Sequence, residues 1–276
     1  MNELPSISLV TCSYQQGRFL DATMRSVLEQ DYPGLEYVVI DGGSKDESVD
    51  VIRRHEARLA HWVSEADKGQ TDALIKGFRR VTGDVMGWLC SDDLLLPNSL
   101  AFVGRFFAEN PQVDALYGDS LWIDAEGRFI RAKRESGFNR FVFLFDHNFI
   151  PQPSMFWRRS LYEKVGGLDA RFNLAMDSDL WERFSRATRI VHVPEFLSCM
   201  RYYPEQKTRA LRPAGAKEDQ EIRSRHLLGE SNSRPLLRAV ARVTRIASKA
   251  AAGGYRRHVP EPLISGLARY RIVGDT

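Results

Sequence analysis

Short apolar runs alternate with segments of helical spacing from residue 7 to residue 117, and this alternation constrains the fold more than any other feature of the chain. Residues 7–13 (ISLVTCS) form an apolar run ending in small polar residues, the pattern of a buried strand. Residues 18–30 carry Leu20, Met24, Val27 and Leu28 at helical spacing. Residues 35–40 read as a second strand, stopped by Asp41-Gly42-Gly43-Ser44, and residues 46–58 as a helix with Val49, Ile52 and Leu59 facing inward. A third strand at 61–64, a helix at 70–81 and a strand at 84–90 follow. Pro97 fits the first turn of a helix running to about residue 109, and residues 113–117 read as another strand. Single helices between strands mean crossover connections, hence an α/β fold with a mostly parallel sheet covered on both faces. Such sheets bind ligands beyond the carboxyl ends of their strands. Residues 11–16, 41–46 and 91–93 are expected at such ends.

The pattern changes after residue 118. Residues 121–124 and 128–132 flank Ala125-Glu126-Gly127 and read as a hairpin. Phe138, Phe141, Phe143, Phe145 and Phe149 suit either core packing or an apolar surface for a lipid-linked acceptor. A turn at Pro151-Gln152-Pro153 precedes expected helices at 159–165 and 177–186 and strands at 190–193 and 197–203. A composition shift near 205–215 divides the chain into a main domain, 1–210, and a helical extension, 211–276.

Asp92-Asp93 follows the buried-looking run VMGWLC. Adjacent acids at the end of a buried strand repel unless solvated or bridged by a cation, and a divalent ion with oxygen ligands would also hold a diphosphate. The competing reading is a helix amino terminus, where acids cap backbone N–H groups. Asp41 can accept from a ribose hydroxyl or a base N–H, or can belong to a turn whose helix is capped by Ser44 or Asp46. Asp177 and Asp179 are spaced i, i+2 near a helix start and do not share a face, so one can point into a cleft while the other caps. A carboxylate in a partly dry cleft can serve as general base. Neither GxGxxG nor GxxxxGK[ST] is present, which weakens dinucleotide-oxidoreductase and P-loop readings.

The three cysteines, Cys12, Cys90 and Cys199, are far apart with no CxxC pair, which argues against a disulfide framework or a thiolate zinc site. No signal peptide and no membrane-spanning run is expected, and a reducing cytoplasm is the simplest location. The net charge of +3 hides an asymmetry: residues 1–200 sum to −6 and residues 201–276 to +9. From Arg234 to Arg257 there are seven basic residues and no acid. Leu237, Val240, Val243 or Thr244, Ala247 and Ala250 follow helical spacing, with Arg234, Arg238, Arg242, Arg245 and Lys249 on the other side. Such a helix can lie peripherally on an anionic membrane, here the inner face, or dock on the body with its arginines solvated. No motif supports a nucleic-acid partner.

Five segments, taken in order, resemble the family 2 glycosyltransferases with the GT-A fold, notably bacterial ones that build surface polysaccharides. They are ISLVTCSYQQGRFL, YVVIDGGSKDES, SEADKGQTDALIKGF, MGWLCSDDLLLP and IPQPSMFWRRSLYEKVGGLDARFNLAMDSDLWERF. The resemblance spans residues 6–208 and implies a Rossmann-like central sheet flanked by helices. It implies an inverting transfer from a nucleoside-diphosphate sugar, with a UDP-, dTDP- or GDP-linked donor, to a sugar or lipid-linked acceptor. Asp93 would ligate Mn²⁺ or Mg²⁺, with Asp92 on the diphosphate and ribose side. Asp41 would bind the nucleoside and the backbone around Thr11, Cys12 and Ser13 the base, and Asp67 and Asp72 would lie near the donor. Lys207 would meet the diphosphate, Gln152 and Asp179 would lie on the acceptor side, and Asp177 would be the general base. Cys12, Gln15, Ile75, Cys90 and Met176 depart from the family's usual residues, and Cys90 removes the first carboxylate of a full DxD. The alternatives are a non-catalytic sugar-nucleotide-binding module of the same fold and a nucleotidyltransferase; the missing Gly-rich basic loop argues against the latter.

Overall fold

The computed structural model describes residues 3–226, 234–256 and 258–272. The first two residues, Arg257 of the basic run and parts of the 211–276 extension (227–233, 257 and 273–276) lie outside the described residues. The amino-terminal half is built as its periodicity predicts. β1 (Ile7–Ser13), α1 (Gly17–Leu28), β2 (Leu35–Asp41), α2 (Ser48–His55), β3 (His61–Ser64), α3 (Gln70–Phe78) and β4 (Val85–Cys90) alternate. These strands pair in parallel in the order β3-β2-β1-β4. The chain winds outward from β1 to β3 and then returns to β4 on the other side of β1. The topological switch point therefore falls between β1 and β4, where Cys12 stands in register with Cys90.

Side chains alternate across the sheet, and each set meets its own helices. Val10, Val38 and Trp88 share a core with Leu74 and Phe78 of α3. Leu9, Val39 and Leu89 share another with Leu20, Met24 and Val27 of α1 and with Val51 and Ile52 of α2.

The second half departs from the expected pattern. After a two-residue strand β5 (Leu94–Leu95), the helix α4 (Ser99–Glu109) starts beyond Pro97, because Asn98 adopts a left-handed conformation (φ 66°) that separates them. The expected strand at 113–117 and the first hairpin arm at 121–124 are one continuous strand, β6 (Ala115–Ile123), paired with β7 (Phe129–Lys133). Gly118 lets it run on: a Cβ there would lie 2.6 Å from the Glu195 carbonyl oxygen. The two expected pieces at 190–193 and 197–203 likewise form one strand, β9 (Ile190–Arg201), with register shifts against β6 that accommodate Pro194. Residues 155–158, without a strand assignment in the sequence reading, form β8 (Met155–Arg158). It lies antiparallel between β4 and β6, giving the full order β3-β2-β1-β4-β8-β6-β9-β5.

The helices of this half are α5 (Arg140–Phe145), α6 (Arg159–Lys164) and α7 (Met176–Ala187). Asn139 caps α5 through its side-chain oxygen. Phe143 and Phe149 are buried in the core with Phe138 against both, while Phe141 and Phe145 are half-buried and pair with each other. Under α7, Trp88, Trp157 and Trp181 pack in mutual contact.

A short helix α8 (Lys207–Ala210) precedes the extension, which holds α9 (Arg212–His226), α10 (Arg234–Ala251) and α11 (Glu261–Gly266). Val259, Leu267 and Tyr270 bury against Leu94, Leu121 and Ile123. Among the described residues, no helix is long and apolar enough to cross a membrane.

Candidate active site

The carboxyl ends of β1 and β4 meet at the switch point, and the chemistry gathers there. Asp92 and Asp93 follow β4 and are buried side by side. Burial holds both carboxyl groups above the usual carboxylate range, Asp93 further because the Asp92 charge adds to it. Their positions are fixed by the turn after β9. Tyr203 Oη donates to Asp92 Oδ2 (2.8 Å), the Arg201 backbone N–H donates to Asp93 Oδ1 (2.9 Å), and Arg201 Nε donates to the Asp92 carbonyl (2.8 Å). From α1's start, Gln16 Nε2 donates to Tyr203 Oη (2.8 Å).

Cys90 Sγ and oxygens of Asp92 and Asp93 lie within 4.8 Å of one another. Two buried carboxylates share the single buried guanidinium of Arg201, so negative charge in excess remains whenever both ionise. A divalent cation would relieve that excess, and with a soft sulfur at the margin the donor set suits Mn²⁺ at least as well as Mg²⁺. The residues fit a metal. The helix-cap reading of these acids has no support, since α4 begins only at Ser99.

A polar network leads from this group across the cleft. Gln70 Nε2 donates to Cys90 Sγ (3.2 Å), and Lys207 Nζ donates to Gln70 Oε1 (3.1 Å) and to the Asn173 carbonyl (2.8 Å). Gly69, at φ 109°, makes room for Asn173: a Cβ there would lie 2.6 Å from Asn173 Nδ2. Burial lowers the Lys207 ammonium's pKa from its usual range. Gln152 Nε2 donates to the Trp88 carbonyl (2.8 Å), and Cys90 Sγ donates to Gln152 Oε1 (3.5 Å).

Four residues before Gln152, Asn148 Nδ2 donates to Asp177 Oδ2 (2.9 Å). A segment of five residues therefore touches both the β4 acids' group and Asp177, and four residue steps span at most about 14 Å between Cα atoms. Asp177 stands at the start of α7, and desolvation raises its pKa to about 7. The Asp219 charge on α9 pushes in the same direction, while the Ser178 N–H and Asn148 oppose it. The loop before α7 is tied down from the extension: Glu218 on α9 accepts from the backbone N–H groups of Asn173 (3.1 Å), Leu174 (2.8 Å) and Ala175 (2.8 Å).

Several expected site residues are engaged elsewhere. Thr11 lies inside β1, buried, with its hydroxyl bonded to Tyr37 Oη (2.9 Å) on the α1 face rather than in the cleft. The Asp41 carboxylate accepts from Gly43 N–H, Ser44 N–H, Ser44 Oγ and Ser64 Oγ, so it organises the turn and has no exposed surface for a nucleoside. Asp72 caps the start of α3 by accepting from the Lys68 N–H (3.1 Å) and pairs with Lys76 (3.3 Å). Asp179 is buried in an ion pair with Arg183 (2.6 Å), near Arg225, and braces α7 instead of meeting an acceptor. Ser13 ends β1 with a buried hydroxyl that has no partner among the described residues. Asp67 accepts from the Gly69 N–H (2.8 Å) and lies against Gly42, closing the β2 and β3 loops together.

Sequence reasoning missed Gln16, Gln70, Asn148, Asn173, Tyr203 and Glu218. Gln70 opens α3 directly after a glycine, and Tyr203 follows a strand end; both positions are readable signals. Nothing in the mixed-charge sequence of α9 singles out Glu218.

The sequence profile described as glycosyl transferase family 2 matches residues 8–166. An uncharacterized glycosyltransferase of Mycobacterium tuberculosis strain H37Rv is 32% identical over 184 residues, covering 65% of this chain and 68% of its own. A PGL/p-HBAD biosynthesis glycosyltransferase of Mycobacterium bovis is 29% identical over 197 residues, covering 68% and 75%. Among solved structures, a mannosyltransferase from Pyrobaculum calidifontis in complex with GDP-Man and Mn²⁺ superimposes with a TM-score of 0.63 at 20% identity, covering 97% of this chain and 79% of that one. The structural likeness shows the GT-A fold, and the matched profile together with the M. tuberculosis relative makes this chain a member of glycosyltransferase family 2.

Proposed function

We propose that the chain is an inverting glycosyltransferase, taking a sugar from a nucleoside-diphosphate donor to a hydroxyl of a sugar or lipid-linked acceptor in cell-surface polysaccharide or glycolipid synthesis. One observation carries this reading: the Asp177 carboxyl, raised to about 7, is held by Asn148, four residues before Gln152, which contacts Cys90 beside the buried acidic pair. A pKa near the working pH suits a general base, a role that typically contributes ~10²–10⁴-fold. Asp93, with Asp92 beside it, would hold Mn²⁺ or Mg²⁺. When bound, that cation neutralises charge on the departing diphosphate.

The remaining work falls to side chains. Lys207 points its ammonium along the Gln70–Asn173 edge, where it can meet a phosphate oxygen. Gln152 and Asn148 line the acceptor side, and Asn148 orients the Asp177 carboxylate. Asp177 takes the proton as the acceptor hydroxyl attacks the anomeric carbon from the face opposite the leaving group, so one displacement inverts that centre.

The Mn²⁺ and GDP-Man complex of the P. calidifontis mannosyltransferase and the biosynthetic role of the M. bovis relative support donor class and pathway type. Thermal shift against UDP-, dTDP- and GDP-sugars, with and without Mn²⁺, tests the proposal. Metal-dependent stabilisation by one donor is expected; no shift with any donor, together with no hydrolysis, would count against it.

A further inference from the structure

The helix α10 docks on the body through small and mixed residues, with Ala241 buried and Leu237, Thr244, Arg245, Ser248 and Lys249 half-buried. Arg245 Nε donates to Asp146 (2.5 Å), and Lys249 Nζ donates to Glu135 (3.1 Å), which is itself buried. Ala241 is the buried contact between them. The acidic rim at Glu135 and Asp146 explains the orientation: it draws in the arginine and lysine and leaves the apolar stripe outside. Leu236 is 66% exposed, Val240 46%, Val243 65% and Ile246 45%. At helical spacing these four fall on one arc with the exposed Ala239, Ala247 and Ala250. The helix is thus docked with Arg238 and Arg242 solvated, and much of its apolar side is solvated as well.

An exposed apolar stripe with a polar rim marks an interaction surface. Its surroundings say with what. Arg238 and Arg242 are exposed at its flank, Tyr255 and Arg256 are exposed just beyond the helix end, and no acid occurs between residues 234 and 256. An apolar strip edged by arginines with an aromatic at one end complements acyl chains under anionic headgroups. An apolar protein partner would not call for the cationic edge.

We infer that α10 is a docking helix for an anionic membrane surface, entering it through Leu236, Val240, Val243 and Ile246 with Arg238 and Arg242 at the headgroups. The placement also connects to the site. Asp146, which receives Arg245, is two residues from Asn148, which orients Asp177. A membrane bound by α10 would therefore lie on the acceptor side of the cleft, where a lipid-linked acceptor would arrive. That last purpose rests on the proposed function; the binding itself does not.

Co-sedimentation of the full-length protein with phosphatidylcholine vesicles, alone and mixed with phosphatidylglycerol, reads the surface directly. Wild type is expected to pellet with the anionic vesicles, less so as salt rises. Val243→Glu/Ile246→Glu should weaken partitioning at least ~tenfold, because two buried methyl-rich groups become charges. Arg238→Glu/Arg242→Glu should abolish the preference for phosphatidylglycerol. Ile130→Glu, an exposed apolar position on β7, should pellet like wild type. All four residues changed on α10 are exposed, and an unchanged urea unfolding midpoint verifies that the variants fold. The inference is overturned if wild type stays in the supernatant, if the stripe variant pellets equally, or if light scattering shows a dimer that the stripe variant splits. If vesicles bind but no nucleotide-sugar does, the enzymatic reading fails and the docking surface stands.

Discussion

Asp177→Asn should stabilise the protein while disabling it, and the size of the stabilisation follows from the site. The carboxyl group moves from an ordinary 3.8 to about 7 on folding. Each unit is worth about 1.4 kcal/mol, so the ionised form costs the folded state up to about 4 kcal/mol relative to the unfolded chain. Because the folded pKa is raised, the folded chain keeps its proton where the unfolded chain has lost it. Stability from this group is whole below 3.8 and is lost as pH rises to about 7. Asparagine does not titrate and keeps nearly the same shape. The advantage of the variant should therefore grow by about 3 kcal/mol between pH 5 and pH 8.5. Urea unfolding at the two pH values, followed by the fluorescence of Trp88, Trp157 and Trp181 beneath α7, measures it. In the same protein, transfer should fall ~10²–10⁴-fold with donor binding retained. A stability difference independent of pH would refute the desolvation, and undiminished transfer would remove Asp177 from the reaction.

Asp219→Asn removes the charge that pushes Asp177 upward, so the acid limb of the wild-type kcat/KM profile, expected near pH 7, should move to lower pH; an unmoved limb would separate α9 from the base. Glu218→Ala strips three backbone N–H groups of their acceptor and should cost about 2 kcal/mol of stability, lowering kcat more than it alters the donor's KM. Equal loss in both parameters would speak against a role confined to α7. Asp179→Asn breaks a buried ion pair and should lower the melting temperature without changing the acceptor's KM selectively, whereas a KM effect alone would restore the acceptor-side role.

The amino-terminal half was legible because its strands are buried on both faces and its helices carry clear apolar stripes. β8 was not, because four residues between a tight turn and a helix leave no period to count. β6 and β9 were divided at Gly118 and Pro194, residues that ordinarily punctuate strands but here serve a close backbone approach and a register shift. In the site, Asp93 and Asp177 stood out as acids at element ends; Asp93 is buried beside Asp92, and the Asp177 carboxyl is raised to about 7 by desolvation. Asp41 stood out for the same reason, and Asp72 through the family resemblance; both carboxylates bond nearby backbone N–H groups, since carboxylates are equally suited to capping. Thr11 came in through the resemblance, for its backbone, and alternation along β1 turns its hydroxyl to the α1 face, onto Tyr37. Glu218 could not be found from composition: its partners lie more than forty residues away and are backbone atoms. The seating of α10 depends in part on acids at 135 and 146, which receive Lys249 and Arg245 and are uninformative until the fold brings them together.

Convergence of the acids at 92 and 93 with the carboxyl at 177 around one donor cleft can be seen most directly in a crystal soaked with Mn²⁺ and a nucleoside diphosphate. An anomalous difference peak beside the Asp93 carboxylate, with the nucleotide's phosphates reaching toward Lys207 and open space before Asp177, is the expected result. A manganese ion or nucleotide bound away from the β1–β4 switch point would contradict it.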